Sequence, residues 1–174
     1  MDAASIPETI RTIIDQAGGL GLRGAFTYIG AQEFRTPVVQ AAKQAVLELL
    51  EQYDALGNVM VSLVTFSSSA TIQTPSWVSI ADARSIIIGL NDGGATNYED
   101  ALVDAMAAFA GAGKLPNAQN VSYFLSDGEP NTPNTSGIDG AELSNWINFL
   151  NGSNNSGPDS ADVRSYALGM GSGV

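Results

Sequence analysis

Apolar positions along the chain follow two rhythms. From Thr36 onward Val39, Ala42, Val46, Leu49, Leu50 and Tyr53 recur at three- and four-residue steps, which predicts a helix over about 38–53 with one apolar face, stopped by Gly57. The next stretch, "NVMVSLVTF" (58–66), is nearly unbroken in apolar and β-branched residues, as in a strand covered on both faces. "GAFTYIG" (24–30), "VSYFL" (121–125) and "VRSYALGM" (163–170) read as further strands, and the alternation in "ATIQT" (70–74) suits a sheet edge. Helical spacing returns around Ile80 to Leu90, then at Leu102, Ala105, Met106 and Phe109, and again at Leu143, Trp146, Ile147 and Leu150. Near the start, Ser5-Ile-Pro-Glu8 is a capping box that opens a short helix to about Ala17, closed by Gly18 and Gly19.

Strands alternating with helices indicate an open α/β sheet with helices on both faces. Ligands of such sheets bind beyond the carboxyl ends of the strands, where the strand order reverses. Asp127, in "FLSDGEPN" (124–131), falls just past the end of a strand and is placed to line that crevice. The Asn-, Ser-, Gly- and Pro-rich stretches 131–140 and 151–160 read as loops that carry little chemistry. Asn134, Asn151 and Asn154 begin glycosylation-like triplets, which arise by chance in such composition.

Composition narrows the chemistry. The 174 residues suit one domain, and the absence of cysteine and histidine excludes thiolate nucleophiles, serine–histidine catalysis and the usual zinc ligands. Carboxylates, hydroxyls and other oxygen donors remain. Eighteen acidic against seven basic residues give a net charge of -11, a field that repels phosphate backbones and attracts cations, so nucleic acid is not an expected partner. The same acidity also serves solubility. No run approaches the ~18 apolar residues of a membrane span. "MDAASIPETI" carries Asp2 and Glu8 where a signal peptide would carry Lys or Arg, so the expectation is no signal peptide in this chain.

The most informative motif is "GGATNYEDAL" (93–102). Read locally, Thr96-Asn-Tyr-Glu99 is a capping box in which Thr96 serves the first turn of the following helix. Taken with "VTFSSSA", "LSDGEPN" and "YALGMG" at strand ends, the pattern resembles the von Willebrand factor type A (vWA) domain from about Phe26 to Met170. That resemblance implies a doubly wound, mostly parallel, Rossmann-like α/β sheet with helices on both faces. It divides the chain into an N-terminal helix and linker (1–24) and a vWA-like domain (25–174). Because the family continues with one more helix and strand, the domain is expected to be incomplete at its C-terminus.

The resemblance also implies a non-enzymatic adhesion module, in a larger extracellular or cell-surface protein, that binds its partner through Mg²⁺, Ca²⁺ or Mn²⁺. The family's metal site draws on an Asp-x-Ser-x-Ser loop after the first strand, a Thr before a later helix and an Asp in a Ser-Asp-Gly turn. Thr96 and Asp127 match the second and third. The chemistry is intelligible by itself: a Mg²⁺ held by hydroxyls and few carboxylates keeps an electrophilic position, which suits a protein ligand presenting an acidic side chain. The first loop departs from the pattern, because "AQEFRTP" follows "GAFTYIG" and no Asp-x-Ser-x-Ser occurs in the chain. Glu33 is the candidate additional ligand there, whereas Asp2 and Ser5 of "MDAAS" precede the first strand at the wrong spacing. Metal binding is therefore expected to be weak or absent.

Two alternative functions differ in class. One is a structural scaffold with no metal or ligand; the other is a carboxylate-dependent hydrolase using Asp127 and Glu129, for which no Gly-x-Ser-x-Gly elbow is present. "AGAGKL" (110–115) ends a helix instead of opening one and lacks the Ser or Thr of a phosphate loop, and "GMGSG" (169–173) reads as a glycine turn. Trp77 and Trp146 are expected in core or helix-face packing.

Overall fold

The computed structural model describes residues 24–30, 36–91, 94–126, 129–152 and 163–169, with the backbone alone for 24–30 and 36–41. Along the chain run β1 (Gly24–Gly30), α1 (Thr36–Asp54), β2 (Met60–Phe66), β3 (Ala70–Ile72), β4 (Val78–Ser79), α2 (Ile80–Gly89), α3 (Tyr98–Phe109), β5 (Gln119–Ser126), α4 (Gly140–Leu150) and β6 (Val163–Gly169). The helix expected over 5–17 lies outside the described residues.

The main sheet order is β3-β2-β1-β5-β6, with β4 also paired to β2. β1 is parallel to both β2 and β5, and β5 is parallel to β6. The two short strands are antiparallel to β2, β3 along its C-terminal half and β4 along its N-terminal end. Between them Thr74 takes over the pairing, since its Oγ1 accepts the Leu63 N–H at 2.9 Å and bonds the Ser62 hydroxyl at 3.1 Å. The predicted edge strand is thus a short piece, as befits a strand with one unpaired side.

Strand parity sorts the core into two layers. On one face Val61, Leu63, Val121, Tyr123 and Leu125 meet Val46, Leu49, Leu50 and Tyr53 of α1 and Ile80, Ala83 and Ile87 of α2. On the other face Val64 and Phe66 meet Ala101, Ala105 and Ala108 of α3, with Phe124 and Trp146 against them. A third cluster joins Trp77, Phe109, Phe149 and Val163, where the Trp77 indole N–H donates to the Ala108 carbonyl at 3.1 Å. Helices therefore cover both faces, as the alternation of elements predicts.

The apolar face of α1 is the one that its periodicity predicts: Ala42, Val46, Leu49, Leu50 and Tyr53 are all buried. Val39, expected on the same face, lies where the backbone alone is described. The Tyr53 hydroxyl bonds that of Tyr123 at 2.9 Å inside this layer. Burial pushes both phenols above the ordinary tyrosine range, so the pair stays protonated and acts as a neutral hydrogen bond.

α4 forms where its spacing predicts. Its spacing marks the helix but not its buried side: Leu143 and Ile147 are 45% and 46% exposed, and among its residues Phe149 is the buried one. Trp146 and Phe149 stack on each other, with ring centroids 5.2 Å apart, and Phe149 meets Phe109 edge-on. The aromatic contacts, which need partners on α3, decide the rotation of this helix.

Val46→Asp is expected to cost several kcal/mol, since it buries an unpaired charge between α1 and the sheet. Ile147→Asp on the exposed side of α4 should stay within about 0.5 kcal/mol of the parent. Urea denaturation measures both, and a parental midpoint for Val46→Asp would mean that the α1 face is misassigned.

Candidate functional site at the carboxyl edge of the sheet

β1 lies between β2 and β5, and all three run the same way, so their carboxyl ends are adjacent. The helix after β1 covers one face and the helix after β5 covers the other. The carboxyl ends of two such strands, whose following helices lie on opposite faces, are the place where open α/β sheets bind ligands.

Segment 94–100, which enters α3, is fastened to the strand ends on both sides. Towards β2, the Asn97 N–H donates to the Ser67 carbonyl at 2.9 Å, the Ala95 N–H to Ser68 Oγ at 3.1 Å, and the Asn97 side-chain amide to the Ser68 carbonyl at 3.2 Å. The Asp100 carboxylate in turn accepts the Ala70 N–H at 2.7 Å, which ties the first turn of α3 to the start of β3. Gly94 allows this closeness: its φ is +106°, and a Cβ there would stand 3.1 Å from the Ser67 side chain. The "SSSA" stretch, read at first only as a strand end, is one wall of this site.

Towards β5, the Tyr98 hydroxyl donates to Ser126 Oγ at 2.9 Å. The Thr96 N–H donates to Asn131 Oδ1 at 2.8 Å, and the Thr96 carbonyl accepts from the Asn131 and Thr132 N–H groups at 3.0 and 3.2 Å. Asn134 donates to Glu99 Oε1 at 2.8 Å, and Pro130 lies against the buried Gly137, which also borders the Tyr98 ring. The 129–137 loop thus folds over the start of α3. The stretch is a loop, as expected, and its first half has a structural part that no local pattern reveals, since Asn131 and Asn134 bond partners 35 residues away.

Thr96 is buried, with 4% of its surface exposed. The capping role read into it belongs to its neighbour: Asn97 is the N-cap, and its side-chain oxygen accepts the Asp100 N–H at 3.1 Å. Asn and Thr both serve as N-caps, and which of two adjacent candidates does so depends on where the chain enters the helix. Asp127 and Glu33 lie outside the described residues. The residues that flank Asp127, Ser126 on one side and Asn131 on the other, are both bonded to the segment that carries Thr96. Among the described residues no three acidic side chains gather as a metal-binding group would.

A profile of the von Willebrand factor type A domain matches residues 27–129, more than half of the chain. The chain belongs to the von Willebrand factor type A family. Members of this family are adhesion and protein-interaction modules. Solved structures agree on the fold. Proximal thread matrix protein 1 from the mussel byssus is 19% identical with a TM-score of 0.66, over 87% of this chain and 39% of that one. A von Willebrand factor type A protein from Catenulispora acidiphila is 19% identical with a TM-score of 0.60, over 86% and 33%. The PilB minor pilin from Streptococcus sanguinis is 18% identical with a TM-score of 0.54, over 63% and 31%. The vWA domain described here spans about a third of the length of these proteins. No curated protein matches the sequence. No helix among the described residues is long and apolar enough to cross a membrane.

Acidic residues crowd the start of α3 in this vWA domain. Glu99 and Asp100 sit in its first turn, where the helix dipole favours them. Asp104, one turn further, lies beyond that benefit: burial and the Asp100 charge raise its carboxyl above the usual range. A carboxyl whose folded value is raised costs stability when ionised. The cost is absent below its unfolded value and complete above its folded one, so stability falls as pH rises out of the acid range.

Two measurements test this arrangement. Asn97→Ala should lower stability by about 1 kcal/mol through loss of the cap, and a neutral result in denaturation would return the role to another residue. Asp104→Asn should raise the melting temperature at pH 7 by roughly 1 °C, a few tenths of a kcal/mol for a screened like-charge pair, and leave it unchanged at pH 3. A gain of equal size at pH 3 would refute the electrostatic origin.

Proposed function

We propose that this vWA domain is a non-enzymatic binding module of a larger surface or secreted protein, and that it meets its protein partner at the carboxyl edge of the sheet. The observation that carries the reading is the burial of Thr96 in a segment bonded on one side to the end of β2 and on the other to both flanks of Asp127. Such fastening of the segment at the strand ends suits a contact surface that must keep its shape. The likeness to a minor pilin and to a byssal thread protein supports an extracellular setting.

A divalent cation would be held here by Thr96 and Asp127, with Glu33 as a further candidate. In kind these donors fit a hard cation, since all are oxygens. In number they do not complete a shell. Neighbouring oxygens are already engaged: Asn131 Oδ1 accepts the Thr96 N–H and Ser126 Oγ accepts from Tyr98. When bound, such a cation would offer its open position to a carboxylate of the partner protein. With most of the octahedron left to water, Mg²⁺ gains little on leaving bulk solvent, and affinity should be low.

Calorimetry with Mg²⁺, Mn²⁺ and Ca²⁺ is expected to show binding no tighter than ~1 mM, about -4 kcal/mol. Restoring the missing loop with Gly30→Asp, Gln32→Ser and Phe34→Ser should tighten Mn²⁺ binding at least tenfold, and Thr96→Ala or Asp127→Ala in that background should reverse the gain. If neither does, the two residues do not form the site. Tight binding by the unaltered chain that Glu33→Gln abolishes would instead show that Glu33 completes it.

A further inference from the structure

We propose that Asn131 is the positioning residue of this site: its carboxamide sets the direction in which the Thr96 side chain points. The inference deepens the reading of Thr96 as a cation and partner contact, and rests on it. The direction of a Cα–Cβ bond follows from the two peptide planes on either side of that Cα. The plane between Thr96 and Asn97 is held at both ends, with its carbonyl on the Asn131 and Thr132 N–H groups and its N–H on the Ser67 carbonyl. The plane between Ala95 and Thr96 is held through the Thr96 N–H, which donates to Asn131 Oδ1 at 2.8 Å. Removal of that carboxamide frees the rotation about the Thr96 N–Cα bond while the other plane stays fixed.

The chemistry favours this orientation of the amide. The Thr132 hydroxyl donates to the same Oδ1 at 3.3 Å, so two donors converge on one atom and that atom is the oxygen. Asn131 also stands four residues beyond Asp127, in the loop that leaves β5. Its bonds make the Thr96 turn and the loop after Asp127 move as one unit. A partner or cation that draws on one of them displaces the other, and through Asn97 and Tyr98 the start of α3.

The test uses the full chain and two readouts. Amide hydrogen exchange by NMR compares the parent with Asn131→Leu, which keeps the volume but has no acceptor, and with Asn131→Asp, which keeps the acceptor oxygen. Asn131→Leu should speed exchange at the Thr96 amide by roughly tenfold, the change that loss of one ordinary hydrogen bond sustains. Amides of β2 and β5 should be unmoved, and Asn131→Asp should restore protection. The second readout is the Mn²⁺ affinity of the loop-restored protein, expected to weaken at least ~5-fold with Asn131→Leu and to recover with Asn131→Asp. Unaltered exchange at Thr96, or altered exchange with unaltered Mn²⁺ affinity, overturns the proposal. If the loop-restored protein binds no Mn²⁺, the metal reading has failed by itself. The exchange pattern across Leu and Asp variants then decides alone whether Asn131 orients Thr96.

Discussion

The pairing of β1 with both of its neighbours is the constraint on which the rest depends. A strand in mid-sheet has no water to satisfy its N–H and carbonyl groups, so it must pair along both edges, as β1 does with β2 and β5 in parallel register. Parallel strands cannot be joined by tight turns, so every connection crosses over a face of the sheet as a helix. The helix that follows β1 and the helix that follows β5 cover opposite faces, and the carboxyl ends of the two strands lie side by side between them. A site in that place follows from backbone hydrogen bonding before any side chain is considered.

What occupies the edge is a polar scaffold. Serines after β2, the cap of α3, the tyrosine of its first turn and the asparagines after β5 form a chain of hydrogen bonds around Thr96. Each such bond adds only a modest net stability, about 1 kcal/mol, because folding exchanges it for a bond to water. Its value lies in fixing geometry. The acidic side chains reveal the same division: Asp100 is engaged by the Ala70 N–H, while Asp104 has its carboxyl raised by burial and by the Asp100 charge.

Much of this was legible in one dimension. The continuous apolar run of β2, the face of α1 and the order of elements are local patterns, because burial on both faces or on one stripe demands a particular spacing of apolar residues. The motif around Thr96 was legible as well, together with the departure at residues 30–34. α4 was not legible in the same way. Its sequence offers Leu143 and Ile147 on one stripe and Phe149 on another, and spacing alone does not rank two stripes.

The sequence by itself determined where the longer helices and strands form, that the sheet is mostly parallel and covered on both faces, and that the side-chain chemistry is that of oxygen donors rather than thiolate or imidazole. Those properties depend on residues within a few positions of one another and on composition. Tertiary structure alone decided that Asn97 and not Thr96 caps α3, that Phe149 turns α4 inward, and that Asn131 holds the Thr96 peptide. Each of these is a choice between residues that are locally equivalent. The choice is made by a partner tens of residues away, the Ser67 carbonyl, the Phe109 ring or the Thr96 N–H, whose position exists only once the sheet has brought the carboxyl ends together.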